Sequence, residues 1–234
     1  MDLFIRILSE WNIDISKEQL KLFERYYDLL IEWNSRINLT TITEKEDVYV
    51  KHFADSIALC RYYDLSNRSL IDIGTGAGFP GVPIKIMNPH CHVVLADSLG
   101  KRITFLNELI SELELSDITA VHGRAEDLAG DVSFREQFDI ATSRAVANLS
   151  TLSEYCLPFV NINGTFVSYK SGIVDDELSL ATNAIRVLGG DTPAVERYSI
   201  PFTEYDRSLC FINKRDHTAD KYPRRSGIPL KKPL

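Results

Sequence analysis

The feature that most constrains this chain is a glycine turn. Leu70-Ile71-Asp72-Ile73 has the apolar, β-branched character of a buried strand, and it runs directly into Gly74-Thr75-Gly76-Ala77-Gly78. A strand that feeds Gly-x-Gly-x-Gly and then a helix brings backbone close to a ligand, because no side chain stands in the way. Such a unit belongs at the carboxyl edge of a parallel sheet, where doubly wound folds bind their ligands.

The rest of the pattern agrees with that fold. After residue 69, short apolar runs alternate with amphipathic stretches. Strands are expected at 70–73, 92–97, 118–121, 138–142 and 164–170, with helices over 101–115, 149–157 and 175–188 between them. Alternation of this kind gives a parallel sheet covered on both faces. Two further β runs, near 195–200 and 208–214, have no helix between them and predict a final antiparallel hairpin. The expected class is therefore α/β: a doubly wound, Rossmann-like, mostly parallel seven-stranded sheet.

Residues 1–66 read as helical. Ser16-Lys17-Glu18-Gln19 has capping-box form, and Leu20, Phe23, Tyr27 and Leu30 follow at helical spacing. A second helix is expected over 45–62, with Val48, Phe53, Ile57 and Cys60 inward. This segment is too short to bury a core alone and should pack on the larger domain C-terminal to it. The resulting division is a helical appendage (1–66), a ligand-binding domain (67–214) and a basic tail (215–234). The tail holds three prolines after Lys214 and is expected to be extended.

Composition narrows the setting. No apolar run is long enough for a membrane span, and the N-terminus lacks the form of a signal peptide, so a cytoplasmic protein is expected. Cys60, Cys91, Cys156 and Cys210 form no CxxC pair and the five histidines show no HExxH spacing, so neither a disulfide framework nor a metal is expected. Net charge is −7, yet residues 214–234 hold seven Lys or Arg against two Asp, a surplus of five that leaves −12 for the rest. An acidic body with a basic tail fits a polyanion bound at one place.

The turn itself discriminates between ligands. The dinucleotide fingerprint is Gly-x-Gly-x-x-Gly. Here the third glycine arrives early, at Gly78, and Phe79 stands where the fingerprint wants glycine. The departure favours S-adenosylmethionine over NAD. Asp97, 23 residues beyond Gly74 at the end of the second strand, is placed to accept from ribose hydroxyls or else to cap the following helix. Gly123-Arg124-Ala125-Glu126 and Ser143-Arg144-Ala145 follow the third and fourth strands at the same edge. The candidate cofactor residues are Gly74, Gly76, Gly78, Phe79, Asp97, Ala125, Glu126 and Arg144. Candidate polyanion contacts are Lys101, Arg102, Arg124, Lys170, Arg224 and Arg225, with Tyr222 between cations as a stacking surface.

Beyond the turn, a set of ordered matches spans nearly the whole chain. They are Glu32-Trp33-Asn34, Asn38-Leu39-Thr40, His52 with Asp55-Ser56, Asp72 to Gly81, Asp97-Ser98 with Lys101-Arg102 and Phe105-Leu106. Gly123 to Glu126, Ser143 to Ala145, and Lys221 to Arg225 with Gly227 complete the set. In these the chain resembles the small-subunit ribosomal RNA methyltransferase G family, also called glucose-inhibited division protein B. Where that family has Lys-Gly after the fifth strand, this chain reads Lys170-Ser171-Gly172. The resemblance implies a bacterial enzyme that methylates N7 of one guanine in 16S rRNA near the decoding site; the expected partner is 16S rRNA or a small-subunit precursor, and the expected state is a monomer. It implies cofactor contacts at Gly74, Phe79, Ala125, Glu126 and Arg144, and low-level streptomycin resistance when the modification is lost.

The chemistry needs no base. Guanine N7 carries a free lone pair, so no proton must leave before attack, and positioning can supply most of the rate. No catalytic residue is therefore assigned; Arg144 is the candidate nearest the reacting groups, and Trp33-Asn34 and His52-Asp55 are expected to hold the appendage against the sheet. Two rivals remain at this point. A nicotinamide oxidoreductase shares the turn and the strand-end acid; a noncatalytic RNA-binding protein would share the fold but need a damaged cofactor site.

Overall fold

β1 (Ser69–Ile73) lies in the middle of one seven-stranded sheet of order β3-β2-β1-β4-β5-β7-β6. The computed structural model describes residues 1–144 and 146–234; Ala145, of the Ser143-Arg144-Ala145 motif, lies outside them. β2 (His92–Asp97), β3 (Ile118–His122), β4 (Phe138–Arg144) and β5 (Val160–Ser171) run parallel to β1. β7 (Asp206–Asn213) is antiparallel to β5, and β6 (Ala194–Ser199) is antiparallel to β7. The expected hairpin is thus present, with β7 inserted between β5 and β6. β5 starts earlier than its apolar run because Val160 pairs with Phe138 ahead of an irregularity in the ladder. Chain order reverses between β1 and β4, which opens a crevice above their carboxyl ends.

Two cores sandwich the sheet. On one face α8 (Leu149–Cys156) and α9 (Asp175–Val187) pack with Ile71, Ala141 and Phe166. On the other, α5 (Gly81–Met87) and α6 (Gly100–Glu112) pack with Leu70, Val93 and Leu95. The N-terminal helices α1 (Asp2–Glu10) and α2 (Lys17–Asn34) cover this second face and share its core. Phe4, Phe23 and Phe53 are fully buried there in edge-on and tilted contact. Each such ring contributes on the order of 2–3 kcal/mol by burial, which is why the appendage and the sheet fold as one core.

Local sequence explains the local forms. Ser16 caps α2 through the N–H of Gln19, and the Gln19 side chain accepts from the Ser16 N–H, as the spacing predicts. The buried stripe of α2 is Phe23, Tyr26, Leu29 and Leu30; Leu20 and Tyr27 are only half-buried, because the core sits on the neighbouring line of the same helix. The helix expected over 45–62 is a chain of pieces: α3 (Lys45–Val48), a π-helical stretch (Tyr49–Ala54), α4 (Asp55–Ile57) and a 3-10 turn (Ala58–Arg61). The π stretch shifts the inward face so that Tyr49, Val50, Phe53 and Ala54 are all buried.

The tail departs from expectation. Instead of extending, it folds back over α7 (Ala125–Leu128) and α8 and ends in α10 (Ile228–Lys231). The Arg135 guanidinium donates to the carbonyls of Thr218, Ala219 and Tyr222 and pins its first half. Arg224 pairs with Glu154 on α8, an acid with no exposed surface. The partners that hold the tail sit 70 and more residues away in the sequence. Among the described residues, no helix is long and apolar enough to cross a membrane.

Candidate active site

The glycine turn is fixed before any ligand arrives. The N–H groups of Gly74 and Thr75 both donate to the Ala96 carbonyl, at 2.9 and 3.2 Å, tying the turn to the end of β2. Asp72, fully buried, accepts from the Gly81 N–H at 3.0 Å and from the Thr142 hydroxyl at 3.1 Å, tying it to α5 and β4. Burial pushes the Asp72 carboxyl up to about 6, against the lowering effect of those bonds. Asp97 accepts from the Gly76 N–H (3.0 Å), the Leu99 N–H (2.9 Å) and the Arg102 guanidinium (3.1 Å). Asp97 thus holds the turn, while the helix-capping use is not realised, since α6 has Leu99 at its N-cap and no side-chain cap; the residue still lines the groove.

The three glycines do different work. Gly74 and Gly76 adopt φ of +70° and +63°, in the left-handed region where a side chain is strained. A Cβ on Gly76 would meet nothing nearer than the Gly74 carbonyl at 4.0 Å, so the space above it is open cradle. Gly78 faces inward: a Cβ there would stand 2.7 Å from the Tyr26 hydroxyl and from Val82. Its absence lets α2 and α5 close on the turn, and Gly78 does not line the groove that Gly74 and Gly76 line.

That groove has two lobes sharing Gly74, Asp97, Ser98 and Val146. One, about 480 Å³, runs from the glycine turn to Leu39, His52, Phe79, Arg102 and Arg144. The other, about 280 Å³, runs past Ala96 to Gly123, Arg124, Ala125 and Glu126, and is closed by Tyr155, Gly227 and Leu230. The last two belong to the folded-back tail. Glu126 accepts from the Gly227 N–H at 2.8 Å and Arg124 donates to the Ser226 hydroxyl at 2.9 Å, so the loop after β3 holds the tail over the lobe.

Phe79 forms the inner end of the first lobe. Its ring stacks between Tyr26 (centroids 5.4 Å, planes 19° apart) and His52 (4.5 Å, 16°), and the Arg144 guanidinium lies 5.2 Å from its centroid. Arg144 donates to Asp55 at 2.9 Å, and Asp55 also accepts from the Tyr198 hydroxyl and pairs with Arg207. Asp55 thus joins the appendage to β4, β6 and β7. His52 Nδ1 lies 3.4 Å from Arg144 Nη2 and its Nε2 lies 2.9 Å from the Thr40 hydroxyl. Guanidinium only donates, which places the imidazole proton on Nε2. Burial first, then Arg144, pushes the His52 imidazole down to about 3, so it is neutral near pH 7.

The cationic candidates separate by partner. Lys101 and Arg225 are exposed. Arg102 pairs with Asp97, Arg124 with Ser226, Lys170 with Glu177 at 2.6 Å, and Arg224 with Glu154. Sequence reasoning gave no site role to Thr40, Tyr155, Gly227, Leu230 and Glu177, none of which sits near the glycine turn in the chain; Thr40 and Gly227, both inside the matched motifs, carried the available signal.

These residues suit S-adenosylmethionine. The open cradle at Gly76 admits backbone approach, and Arg102, which lines the first lobe, has a buried Nε–H with no partner among the described residues, a donor suited to a carboxylate. The sheet order and this two-lobed groove define a class I S-adenosylmethionine-dependent methyltransferase. Solved structures with the same fold include a SAM-dependent O-methyltransferase from Thermotoga maritima (TM-score 0.54, 12% identity, 81% of this chain and 72% of that one). The model of the family described as rRNA small subunit methyltransferase G matches residues 19–209. Curated relatives named ribosomal RNA small subunit methyltransferase G are similar over nearly the full length. That of Lachnoclostridium phytofermentans is 52% identical over 99% of this chain and 96% of its own; that of a Geobacillus species is 49% identical over 99% and 98%. The chain belongs to the rRNA small subunit methyltransferase G family. The nicotinamide reading is not favoured: Phe79, packed between Tyr26 and His52, occupies the place where a dinucleotide fold needs close helix approach.

Proposed function

We propose that the protein transfers the methyl group of S-adenosylmethionine to N7 of a specific guanine in 16S rRNA, near the decoding site, acting in the cytoplasm as a monomer. One observation carries the choice of acceptor. The imidazole that faces the methyl end of the groove is no base: burial and Arg144 depress its affinity for a proton, its lone pair on Nδ1 faces that guanidinium, and its proton faces Thr40. An acceptor that must lose a proton before attack would find no help there, whereas guanine N7 needs none.

When bound, S-adenosylmethionine supplies an electrophilic methyl carbon on a sulfonium. Gly74 and Gly76 let the backbone carry it, and Asp97, Ala125 and Glu126 line the nucleoside lobe. Phe79, buried at the inner end of the first lobe, keeps water from the methyl end, which sharpens orientation. Exposed Lys101, next in the chain to groove-lining Arg102, and exposed Arg225, two residues before groove-lining Gly227, are the phosphate contacts of this reading, and each would steepen the salt dependence of RNA binding.

The test offers radiolabelled S-adenosylmethionine to naked 16S RNA, to small subunits lacking the modification and to a protein extract, followed by nucleoside analysis. 7-Methylguanosine in 16S RNA is the expected product. Label in no RNA fraction, with the cofactor demonstrably bound, overturns the proposal.

A further inference from the structure

Beyond the wall made by His52 and Arg144 lies a second cavity of about 460 Å³. Both residues line it and the cofactor groove, so the two spaces meet at these side chains. Its other walls come from Lys51 on the π-helical stretch, Lys170 at the end of β5, Glu177 in the first turn of α9 and Arg207 on β7. Two carboxylates line it, and they differ in how they are used. Asp55 is saturated, with Arg144 on one oxygen and Tyr198 and Arg207 on the other. Glu177 is not. Its Oε1 accepts from the Leu149 N–H and from Lys170 Nζ, each at 2.6 Å, and among the described residues no hydrogen bond reaches its Oε2.

Resting on the guanine-N7 reading above, we propose that this cavity receives the acceptor base and that Glu177 Oε2 reads its Watson–Crick edge. Guanine presents N1–H and N2–H side by side as donors, and both can converge on the one free oxygen, Oε2; adenine presents an acceptor at N1 and would face that oxygen with a lone pair. With that edge at Glu177, the N7/O6 edge is left to face Arg144 and the groove, where O6 is an acceptor for the guanidinium. The arrangement also favours the reaction itself. As N7 gives its lone pair to the methyl carbon, and the electron pair of the breaking S–C bond returns to sulfur, positive charge spreads over the purine. N1–H becomes a stronger donor, so its bond to a carboxylate is stronger in the transition state than in the ground state. No proton leaves the base at any point.

The test compares guanine with inosine, which lacks the N2 amino group, at the methylated position of 16S RNA joined from synthetic and transcribed pieces and assembled into small subunits. Wild-type protein is expected to lose about tenfold to a hundredfold in kcat/KM on inosine, the range for one hydrogen bond to a charged group. Glu177→Gln keeps an oxygen for the Leu149 N–H and is expected to act on both bases at one low rate, with S-adenosylmethionine affinity unchanged by calorimetry. A wild-type enzyme that treats the two bases alike overturns the proposal without any variant, and so does a Glu177→Gln protein that keeps the full preference for guanine. Failure of wild-type protein to methylate the guanine substrate would instead overturn the functional reading beneath it.

Discussion

Replacing Arg224 by alanine tests whether the tail is a fold element or a free cationic arm. Glu154 is completely buried on α8 and, among the described residues, is compensated by one partner: the Arg224 N–H at 2.7 Å, its Nε at 2.9 and 3.1 Å, and its Nη2 at 2.6 Å. Alanine keeps the backbone N–H and removes the guanidinium, leaving a buried carboxylate with a single neutral donor. Breaking a buried pair from one side costs about 3–5 kcal/mol, a large share of the roughly 5–15 kcal/mol that separates folded from unfolded states. With a urea m-value of about 3 kcal/mol/M, the midpoint of unfolding should fall by about 1–1.7 M. Arg224 itself is partly exposed, so the converse change is milder: Glu154→Leu strands a cation that can reach water, and it should cost less than Arg224→Ala. The double substitution should be less damaging than the sum of the two, since it removes the stranded charge. Equilibrium urea unfolding of the four proteins, followed by far-UV circular dichroism, gives the cycle. An Arg224→Ala protein with an unchanged midpoint, or a double variant showing simple additivity, would refute the reasoning.

Gly76→Val should abolish S-adenosylmethionine binding while costing about 1–3 kcal/mol from its left-handed backbone, whereas Gly78→Ala should act chiefly on thermal stability because its Cβ strikes Tyr26 and Val82; calorimetric titration and melting curves separate the two. For His52, the folded value near 3 lies below the free value near 6.5, so the unfolded chain binds more protons between them. Its contribution to stability is complete above about pH 6.5 and is lost toward pH 3, by up to about 1.4 kcal/mol per pH unit. Asp72, raised to about 6, slopes the opposite way between roughly pH 4 and 6, so the His52 effect is read as the difference between wild type and His52→Phe in urea unfolding across that range. Leu230→Ser, at a residue 60% exposed on the rim of the nucleoside lobe, should weaken S-adenosylmethionine binding severalfold with an unchanged melting temperature; unaltered affinity would mean that the tail does not close the lobe.

What could be read from the chain and what could not divide along sequence distance. The capping box at Ser16, the glycine turn, the strand-end Asp97 and the last hairpin depend on neighbours within a few residues or on periodicity, and each was legible. Strand order was not, because insertion of β7 between β5 and β6 is a matter of edges pairing across the sheet. Basic residues were the hardest. Lys170, Arg102 and Arg224 have the composition of a polyanion surface, yet their partners Glu177, Asp97 and Glu154 are named only by folding, and Glu154 looks in sequence like any acid on an exposed helix. The π-helical stretch at Tyr49–Ala54 left no periodic trace, since its extra residue per turn blurs the pattern that marks a helix.

The tail has one more consequence. Gly227 and Leu230 wall one lobe of the groove, and what holds them there is a small set of bonds from Glu126, Arg124 and Glu154 to Gly227, Ser226 and Arg224. Each of these bonds joins the tail to the loop after β3 or to α8, and the ladder of the sheet does not pass through them. Peeling the tail away would therefore leave a folded sheet with the groove open along one side.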